Sequence, residues 1–329
     1  MNDRVIGLLG RYDIEVLRTR KGRGAVLCDS SRGTLIFKEY QGQKGKIGVQ
    51  DRLLKKIAES GILPVEEIIP DREGELSVQD TDGVSYILKT YFEGRECNVQ
   101  DLQECVRGVR TLARLHGQMH LEGEEALEQM PVFRAEREYA KHNKELKKIR
   151  RFLRQKSQKN NFEIYLLQEY DYFLDQAQEI AEEWNAFLIP EDCESLKKNG
   201  VLCHGDYQYH NIIETPAGQA VINFEKILID DQIRDLYLFM RKLLEKSNWS
   251  RELGNQLLKA YCAVNPLPAR SYVALYYRLA YPEKFWKIVN FYYNSGKAWI
   301  PEKNMEKLQK VVEQEREKQK FLDAVFRTV

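Results

Sequence analysis

The sequence lacks the features that mark several specialised classes of protein. Its 51 basic and 50 acidic side chains leave a formal net charge of +1, so the overall charge gives no reason to expect nucleic acid or a membrane as a partner. No apolar run approaches the about 18 residues of a membrane span. The N-terminal apolar run is too short for a secretory signal and carries Asp3. We therefore expect a soluble, cytoplasmic chain.

The cysteine pattern is equally uninformative about metal or disulfide chemistry. No two of the 6 cysteines form a CxxC pair, so neither a zinc site nor a disulfide framework is expected. Buried free thiols in a reducing compartment are the simpler interpretation. The chain also has no internal repeat and no low-complexity segment, which leaves a globular protein with one or two cores.

The first part of the chain has a mixed strand and helix pattern. "DIEVLRT" alternates like a strand and leads into the basic loop "RKGRG", which holds Gly22 and Gly24. "GAVLCDSSRGTLIFKEY" predicts two strands joined by a polar turn at residues 30–33. "VQDRLLKKIAESG" has helical spacing and stops at Gly61. "PVEEIIP" and "GVSYILKTYF" predict further strands.

The periodicity changes after "YFEGRE". "NVQDLQECVRGVRTLARLHGQMH" predicts a long amphipathic helix with Asn98 as its cap. The rest is mostly helical in pattern, except for residues 201–229, where short strands bracket the turn "TPAGQA". The prediction is an α+β fold with a sheet-rich N-terminal lobe over residues 1–93 and a larger helical lobe over residues 94–329.

A cluster of polar residues in the second strand-forming segment suggests chemistry. Asp206 follows the apolar strand "GVLC" in the triplet His204-Gly205-Asp206, and Asn211 opens the next strand. A carboxylate in such a loop can accept the proton of a substrate hydroxyl, and an asparagine oxygen can bind Mg²⁺. This is the arrangement that phosphoryl transfer requires. The alternative is that His204 and Asp206 only make hydrogen bonds that brace the loop.

Lys38 is a second candidate for phosphate chemistry. It ends the apolar strand "TLIFK", downstream of the glycine-bearing loop. A lysine in that place can reach the α- and β-phosphates of a nucleotide beneath the loop. For a lone strand lysine, an exposed edge charge is the simpler interpretation. The order of loop, strand lysine, helix, linker and HGD…N favours the nucleotide site.

These motifs resemble those of the kinase-like superfamily of aminoglycoside and choline phosphotransferases. The superfamily loop HGDxxxxN is matched by "HGDYQYHN", and its "LxxLH" helix end by "TLARLH". Within the superfamily, the chain is most similar to CotS-type spore-coat proteins of spore-forming Firmicutes. That likeness depends on "TLIFKEY", "YFEGRE" and "IRDLYLFMRK", and the resemblance covers nearly the whole chain.

The resemblance implies a bilobal protein-kinase-like fold, an ATP and Mg²⁺ cofactor pair, and roles for individual residues. Asp206, with His204 beside it, would be catalytic, and Asn211 would bind the metal. Lys38 would bind phosphate beneath the loop of Gly22 and Gly24. The backbone around Lys89–Phe92, including Tyr91, would contact adenine, and Asp235 would brace the catalytic loop.

The chain departs from the family pattern at two positions. The metal-binding strand normally carries an aspartate where this chain has Asn223, and Mg²⁺ sites without a carboxylate are weak. Glu225 would lie on the same side of an ideal strand as Asn223 and is a candidate replacement ligand. The helix near residues 48–60 has no glutamate in its middle, so the usual partner of Lys38 is missing.

Two functions remain open at this stage. One is a kinase-like spore-coat protein, catalytically weak or silent, that acts in coat assembly with other coat proteins. The alternative is an active ATP-dependent phosphotransferase acting on a small-molecule or protein hydroxyl. The protein would be made in the mother-cell cytoplasm and end on the spore coat. A basic stretch, residues 144–159, is either a solvated helix face or an anion-binding surface.

Overall fold

The chain forms two compact units. The first comprises Met1–Val132, Ser195–Phe239 and Ala260–Asn265, and the second comprises Phe133–Glu194, Met240–Lys259 and Pro266–Val329. The structure is a computed structural model. It describes residues 7–22, 24–121, 123, 127, 130, 132–294 and 301–326. None of the helices within these residues is long and apolar enough to cross a membrane.

An antiparallel sheet forms the N-terminal part of the first unit. Its strands are β1 (Val16–Gly22), β2 (Ala25–Ser30), β3 (Gly33–Glu39), β4 (Ile68–Ile69), β5 (Val78–Gln79) and β6 (Ser85–Thr90). The order is β1-β2-β3-β6-β4, with β5 also paired to β6. The two strands predicted around the polar turn at residues 30–33 are confirmed as β2 and β3.

One face of this sheet carries an apolar core. Side chains alternate along β3, so that Leu35 and Phe37 are buried while their neighbours face the other side. Phe37 stacks on Tyr86 and meets Tyr12 edge-on. Burying these aromatic rings fixes the register of the strands, since a slip by one residue would expose them.

Helix α1 (Ile47–Ser60) follows the first three strands and ends at Gly61, as predicted. Gly61 has φ 64° and caps the helix in the left-handed conformation, which glycine adopts at little cost. Short strand β7 (Arg95–Glu96) leads into helix α2 (Leu102–Gln118). The prediction of Asn98 as the cap of this helix was wrong. Asp101 is the cap, because its carboxylate accepts from the amides of Gln103 and Glu104.

The first unit is completed by strands from later in the chain. These are β8 (Leu202–Cys203), β9 (Ile212–Thr215), β10 (Gly218–Val221) and β11 (Leu228–Ile229). Strand β9 lies between β10 and β7, and β8 pairs with β11.

The remaining helices are α3 (Ala135–Gln155), α4 (Asn161–Phe187), α5 (Pro190–Lys198), α6 (Ile233–Lys246), α7 (Arg251–Cys262), α8 (Ala269–Ala280), α9 (Glu283–Asn294) and α10 (Pro301–Phe326).

The described structure confirms the α+β class, with an antiparallel N-terminal sheet and a mostly helical remainder. The basic stretch at residues 144–159 lies on and just after α3. Arg150 and Arg154 both pair with Asp171 on α4, and Lys156 pairs with Glu163. These pairs neutralise part of the stretch, while Lys147 and Lys148 remain exposed.

Candidate nucleotide and metal site

Two lysines of the N-terminal sheet point away from its apolar core. Lys38 on β3 alternates with buried Phe37, so its side chain lies on the opposite face. Lys89 on β6 pairs directly with Ile36, which shares that face with Lys38. The strand register therefore places the two ammonium groups as diagonal neighbours on one side of the sheet.

Lys89 is almost completely buried, with 1% of the residue exposed. Its Nζ lies 2.7 Å from Glu66 Oε2 and 3.0 Å from Glu225 Oε1. It also lies 3.4 Å from the side-chain oxygen of Asn223. Lys38 Nζ contacts two of these three acceptors. It lies 3.1 Å from Glu225 Oε1 and 3.2 Å from Asn223 Oδ1.

The opposite charges in this cluster favour the ionised forms of Lys89 and Glu225. Burial alone would lower the pKa of Lys89, but Glu66 and Glu225 outweigh it and raise the pKa. Burial would raise the pKa of Glu225, and Lys89 and Lys38 instead lower it to about 2. The network contains two ammonium groups and two carboxylates, so its formal charges cancel.

Glu66 also fixes the backbone at the metal-binding segment. Its carboxylate accepts from the amide nitrogens of Asn223 at 2.8 Å and Phe224 at 3.1 Å. Asn223 has φ 66° and ψ 59°, a left-handed conformation that asparagine tolerates better than most residues. The two hydrogen bonds that Glu66 accepts stabilise this turn. Glu66 therefore both orients the backbone at Asn223 and pairs with the charge of Lys89.

The assumption of an ideal strand through residues 222–225 was wrong. Strand β10 ends at Val221, and residues Phe224–Lys226 form a single 3₁₀ turn after the left-handed Asn223. Glu225 still comes close to Asn223, because Lys38 and Lys89 contact both side chains. The turn, and not strand alternation, brings the two together.

The catalytic-type loop is held by Asp235 at the start of α6. The fully buried carboxylate accepts from the amides of His204 at 2.6 Å and Gly205 at 2.9 Å. Burial would raise the pKa of Asp235, but the hydrogen bond from His116 and the neighbouring histidines lower it. Asp235 therefore has the bracing contacts that the resemblance implied.

His204 has the contacts of a loop brace. It is fully buried, its Nε2 lies 3.0 Å from the carbonyl oxygen of Ile222, and its Nδ1 accepts from the amide of Asp206 at 3.2 Å. A catalytic role for His204 stays a prediction, and these contacts favour the alternative that it positions the loop. Gly205 has φ 78°, and a Cβ there would overlap the carbonyl oxygen of Lys226. Glycine is therefore required at this position.

Asp206 carries both of its carboxylate oxygens in contacts with the protein. Gln208 donates to Oδ1 at 2.6 Å, and Lys226 donates to Oδ2 at 2.8 Å. Asn211 donates to the backbone oxygen of Asp206 at 2.8 Å, and its own Oδ1 accepts from Asn223 Nδ2 at 2.8 Å. The structure thus links Lys38 to Asp206 through Asn223 and Asn211.

The residues predicted to bind Mg²⁺ do not fit that ion well. Asn211 and Asn223 supply neutral oxygens, and each oxygen already accepts from a protein donor. Glu225, the only carboxylate of the predicted ligand set, is paired with two lysines. A divalent cation would have to displace or oppose two ammonium groups within 3.4 Å of the same oxygens. Mg²⁺ prefers carboxylates and octahedral geometry, so this arrangement disfavours it.

The other residues predicted to contact the nucleotide lie in or next to strands β1 and β6. Gly24 has φ 66° in the turn between β1 and β2, with open space where a Cβ would point. Gly22 lies at the end of β1 and pairs with Ala25. Tyr91 donates its amide to Thr34 at 3.2 Å, so this amide belongs to the sheet. The assignments of these residues to nucleotide binding stay predictions.

Sequence reasoning missed Glu66 and the side chain of Lys89. The partner of Lys38 comes from Glu225, and α1 supplies none: Gln50 accepts from Tyr40, and Asp51 pairs with Lys55. The signal for Glu66 was an acidic residue inside the apolar segment "PVEEIIP", where a buried carboxylate needs a partner. The signal for Lys89 was its place in the apolar strand "YILKTYF".

Solved structures with a similar fold are phosphotransferases. An aminoglycoside phosphotransferase from Alicyclobacillus acidocaldarius has a TM-score of 0.82 at 20% identity, over 97% of this chain and 94% of the other. Spectinomycin phosphotransferase APH(9)-Ia, in complex with ADP and spectinomycin, has a TM-score of 0.67 at 14% identity, over 97% and 98% of the two chains. At these identities the likeness shows the fold alone. It confirms the kinase-like fold class.

The family is shown by the sequence itself. Residues 8–325 match the family described as "Spore coat putative kinase YutH", and the chain belongs to this family. Spore coat protein S of Bacillus subtilis is 32% identical over 128 residues. That match spans 38% of this chain and 36% of the relative. The expected relationship to spore-coat proteins with a phosphotransferase fold is therefore confirmed.

Proposed function

We propose that this protein is a kinase-like component of the spore coat that is catalytically weak or silent and acts in coat assembly. Membership of the spore-coat kinase family supports a role in the spore coat. One observation carries the proposal of weak catalysis. The buried ammonium of Lys89 contacts Asn223 and Glu225, two of the three residues that we predicted from the sequence as metal ligands.

The physical reason is competition for the same oxygens. Phosphoryl transfer depends on positive charge that is free to neutralise the transferred group. Here the ammonium of Lys38 is paired with Glu225, so this carboxylate offsets part of the positive charge that a nucleotide phosphate would meet. The residual charge available to a nucleotide is small, and both binding and catalysis suffer for this reason.

An active phosphotransferase remains the second candidate, and the catalytic-type loop favours it. The loop keeps Asp206 and Asn211 in place, braced by Asp235. The side chain of Lys226 is 62% exposed, so its ion pair with Asp206 is of the kind that contributes about 1 kcal/mol or less. An incoming acceptor hydroxyl could therefore replace Lys226 at the carboxylate at little cost.

The proposed location and partners follow from the family. The protein is made in the mother-cell cytoplasm, joins the coat, and meets other coat proteins there. Nucleotide binding stays part of the proposal, since similar structures were solved with AMP, with ADP or with AMP-PNP and Ca²⁺.

A comparison of turnover and coat assembly tests the proposal. Wild type and Asp206→Asn are each assayed for ATP consumption with small-molecule and protein hydroxyl acceptors. Each is also expressed in a spore-forming host that lacks its own copy. We expect the two proteins to share one background rate and to support coat assembly equally. Turnover in wild type that Asp206→Asn abolishes, together with a coat defect in that variant, would establish the active enzyme instead.

A further inference from the structure

A cavity of about 240 Å³ in the second unit is lined by an excess of cationic side chains. Seven of its lining residues are lysine or arginine and three are glutamate, which leaves four positive charges in excess. The cations are Arg241, Lys242, Lys246, Lys284, Lys307, Lys310 and Lys318. None of the sequence motifs or the proposed function accounts for this concentration of charge.

The three carboxylates of the cavity already have partners. Glu245 lies 2.6 Å from Arg241 and 3.6 Å from Lys284. Glu315 lies 3.7 Å from Lys318. Glu283 pairs at 3.0 Å with Lys287, which is not part of the lining. The excess charge is therefore concentrated on the other lysines.

Three of these lysines have no carboxylate within ion-pair distance among the described residues: Lys242, Lys307 and Lys310. Lys242 is half-buried near the end of α6, and the other two lie one turn apart on α10. Side chains three residues apart on a helix share one face. Both are exposed and line the cavity, so α10 brings two positive charges to it and α6 adds the charge of Lys242.

The burial of charge here has an electrostatic cost. Burial lowers the pKa of Lys242, and repulsion from Arg241 and Lys284 lowers it further. Burial also lowers the pKa of Lys318, although Glu315 opposes the effect. An anion inside the cavity would relieve this repulsion and favour the charged form of both lysines.

Apart from Gln314, the rest of the lining is aromatic and aliphatic. Trp249, Tyr281 and Phe285 lie against the cavity together with Phe173 and Val311. Trp249 follows Asn248 in the connection between α6 and α7, and both have left-handed backbones, with φ 56° and 53°. For a bulky residue such as tryptophan this conformation is uncommon and costs energy. The packed structure nevertheless holds the indole at this wall.

We propose that the cavity binds a small aromatic dianion, a ring that carries a phosphate or two carboxylates. The aromatic and aliphatic side chains of the lining accommodate the ring, and the lysines of α6 and α10 neutralise the anionic groups. The volume lies just below the roughly 300–1,000 Å³ typical of drug-sized ligand sites, which suits a single ring. All lining residues belong to the second unit, so the proposal is independent of the kinase-like site.

Titration with phenyl phosphate at fixed ionic strength tests the proposal. Quenching of Trp249 fluorescence gives the binding curve, with Trp249→Phe to identify the reporter. We expect saturable binding that weakens about tenfold in Lys242→Gln and in Lys310→Gln, as for the loss of one charge-assisted contact. Lys303→Gln is the matched control for Lys310→Gln, because both lysines are exposed on the same helix and only Lys303 lies outside the lining.

Further probes separate the two sources of the anion. Phthalate replaces the phosphate by two carboxylates, and tighter binding of either probe identifies the preferred group. Inorganic phosphate and benzyl alcohol each supply half of the ligand and should bind more weakly than phenyl phosphate. Inorganic phosphate binding as tightly as phenyl phosphate would overturn the role of the aromatic wall. Absence of saturable binding, or equal weakening in Lys303→Gln, would overturn the site.

Discussion

Lys89 Nζ lies 2.7 Å from Glu66 Oε2, and both residues are 1% exposed. This buried ion pair joins strand β6 to the segment that precedes β4, and Glu66 passes the constraint on to the turn at Asn223. The resemblance implies a dissociable metal ion near Asn223. In this chain the ammonium group of Lys89, which is covalently part of the protein, contacts Asn223 and Glu225.

Loss of the Lys89 ammonium should destabilise the protein strongly. In Lys89→Met, Glu66 loses its charged partner and Glu225 keeps only Lys38, so buried negative charge is left uncompensated. Removing one member of a buried pair costs about 3–5 kcal/mol of the free energy of unfolding. Lys38→Met is the matched variant. Its side chain is 22% exposed, and Lys89 remains, so the loss should be smaller.

Urea unfolding of the three proteins measures both effects. Addition of Glu66→Gln to Lys89→Met should recover part of the stability, because it removes one of the unpaired charges. A larger loss in Lys38→Met than in Lys89→Met would show that Lys38 is the structural cation and would contradict the account.

Gly205→Ala should disrupt the catalytic-type loop. The added methyl group overlaps the carbonyl oxygen of Lys226. The alanine must also adopt a left-handed backbone, because φ at this position is 78°. Gly24→Ala is a control with a similar φ of 66° but open space around the methyl group. The control should lose only about 1–2 kcal/mol from the left-handed backbone, and Gly205→Ala should lose clearly more. Equal losses in thermal unfolding would mean that the loop adjusts without cost.

His142 should make the stability of the protein fall in mild acid. It is buried, and its ring stacks on Trp286 with 3.3 Å between centroids. Burial lowers its pKa to about 4, with Glu145 opposing this effect and Lys141 and Lys287 adding to it. Glu283 also lies close, 3.5 Å from Nδ1.

The direction follows from proton binding. Between about pH 6.5 and pH 4 the unfolded state binds the proton and the folded state does not. The free energy of unfolding is therefore highest above pH 6.5 and falls as the pH is lowered towards 4, by at most about 3 kcal/mol from this group. His142→Gln should flatten this part of the curve, and His210→Gln serves as the control. An unchanged slope in His142→Gln would show that the histidine is not buried in its neutral form.

The strands around the site were predictable because their signals are local. The polar turn at residues 30–33, the helix stop at Gly61 and the position of Lys38 depend on alternation and turn residues within a few positions. The side-chain role of Lys89 was not predictable, since it requires the register between β3 and β6. The same holds for Glu66, whose partners lie 23 and 157 residues away.

The cap of α2 shows how local competition limits sequence reasoning. Asn98 and Asp101 are both good cap residues. The side chain of Asn98 accepts from the amide of Gln100 and so forms a turn of its own, which leaves Asp101 to begin the helix. The division into lobes at residues 1–93 and 94–329 stays a prediction.

Calorimetry of ATP with Mg²⁺ and with a chelator tests the central claim most directly, on wild type, Asn223→Asp and Glu225→Gln. The account predicts that Mg²⁺ does not raise the affinity of wild type for ATP, because Lys89 and Lys38 already occupy the oxygens of Asn223 and Glu225. Asn223→Asp adds a hard anionic ligand beside Asn211 and should introduce a dependence on Mg²⁺. Tight, Mg²⁺-dependent binding by wild type that disappears in Glu225→Gln would contradict the account and identify Glu225 as a displaced metal ligand.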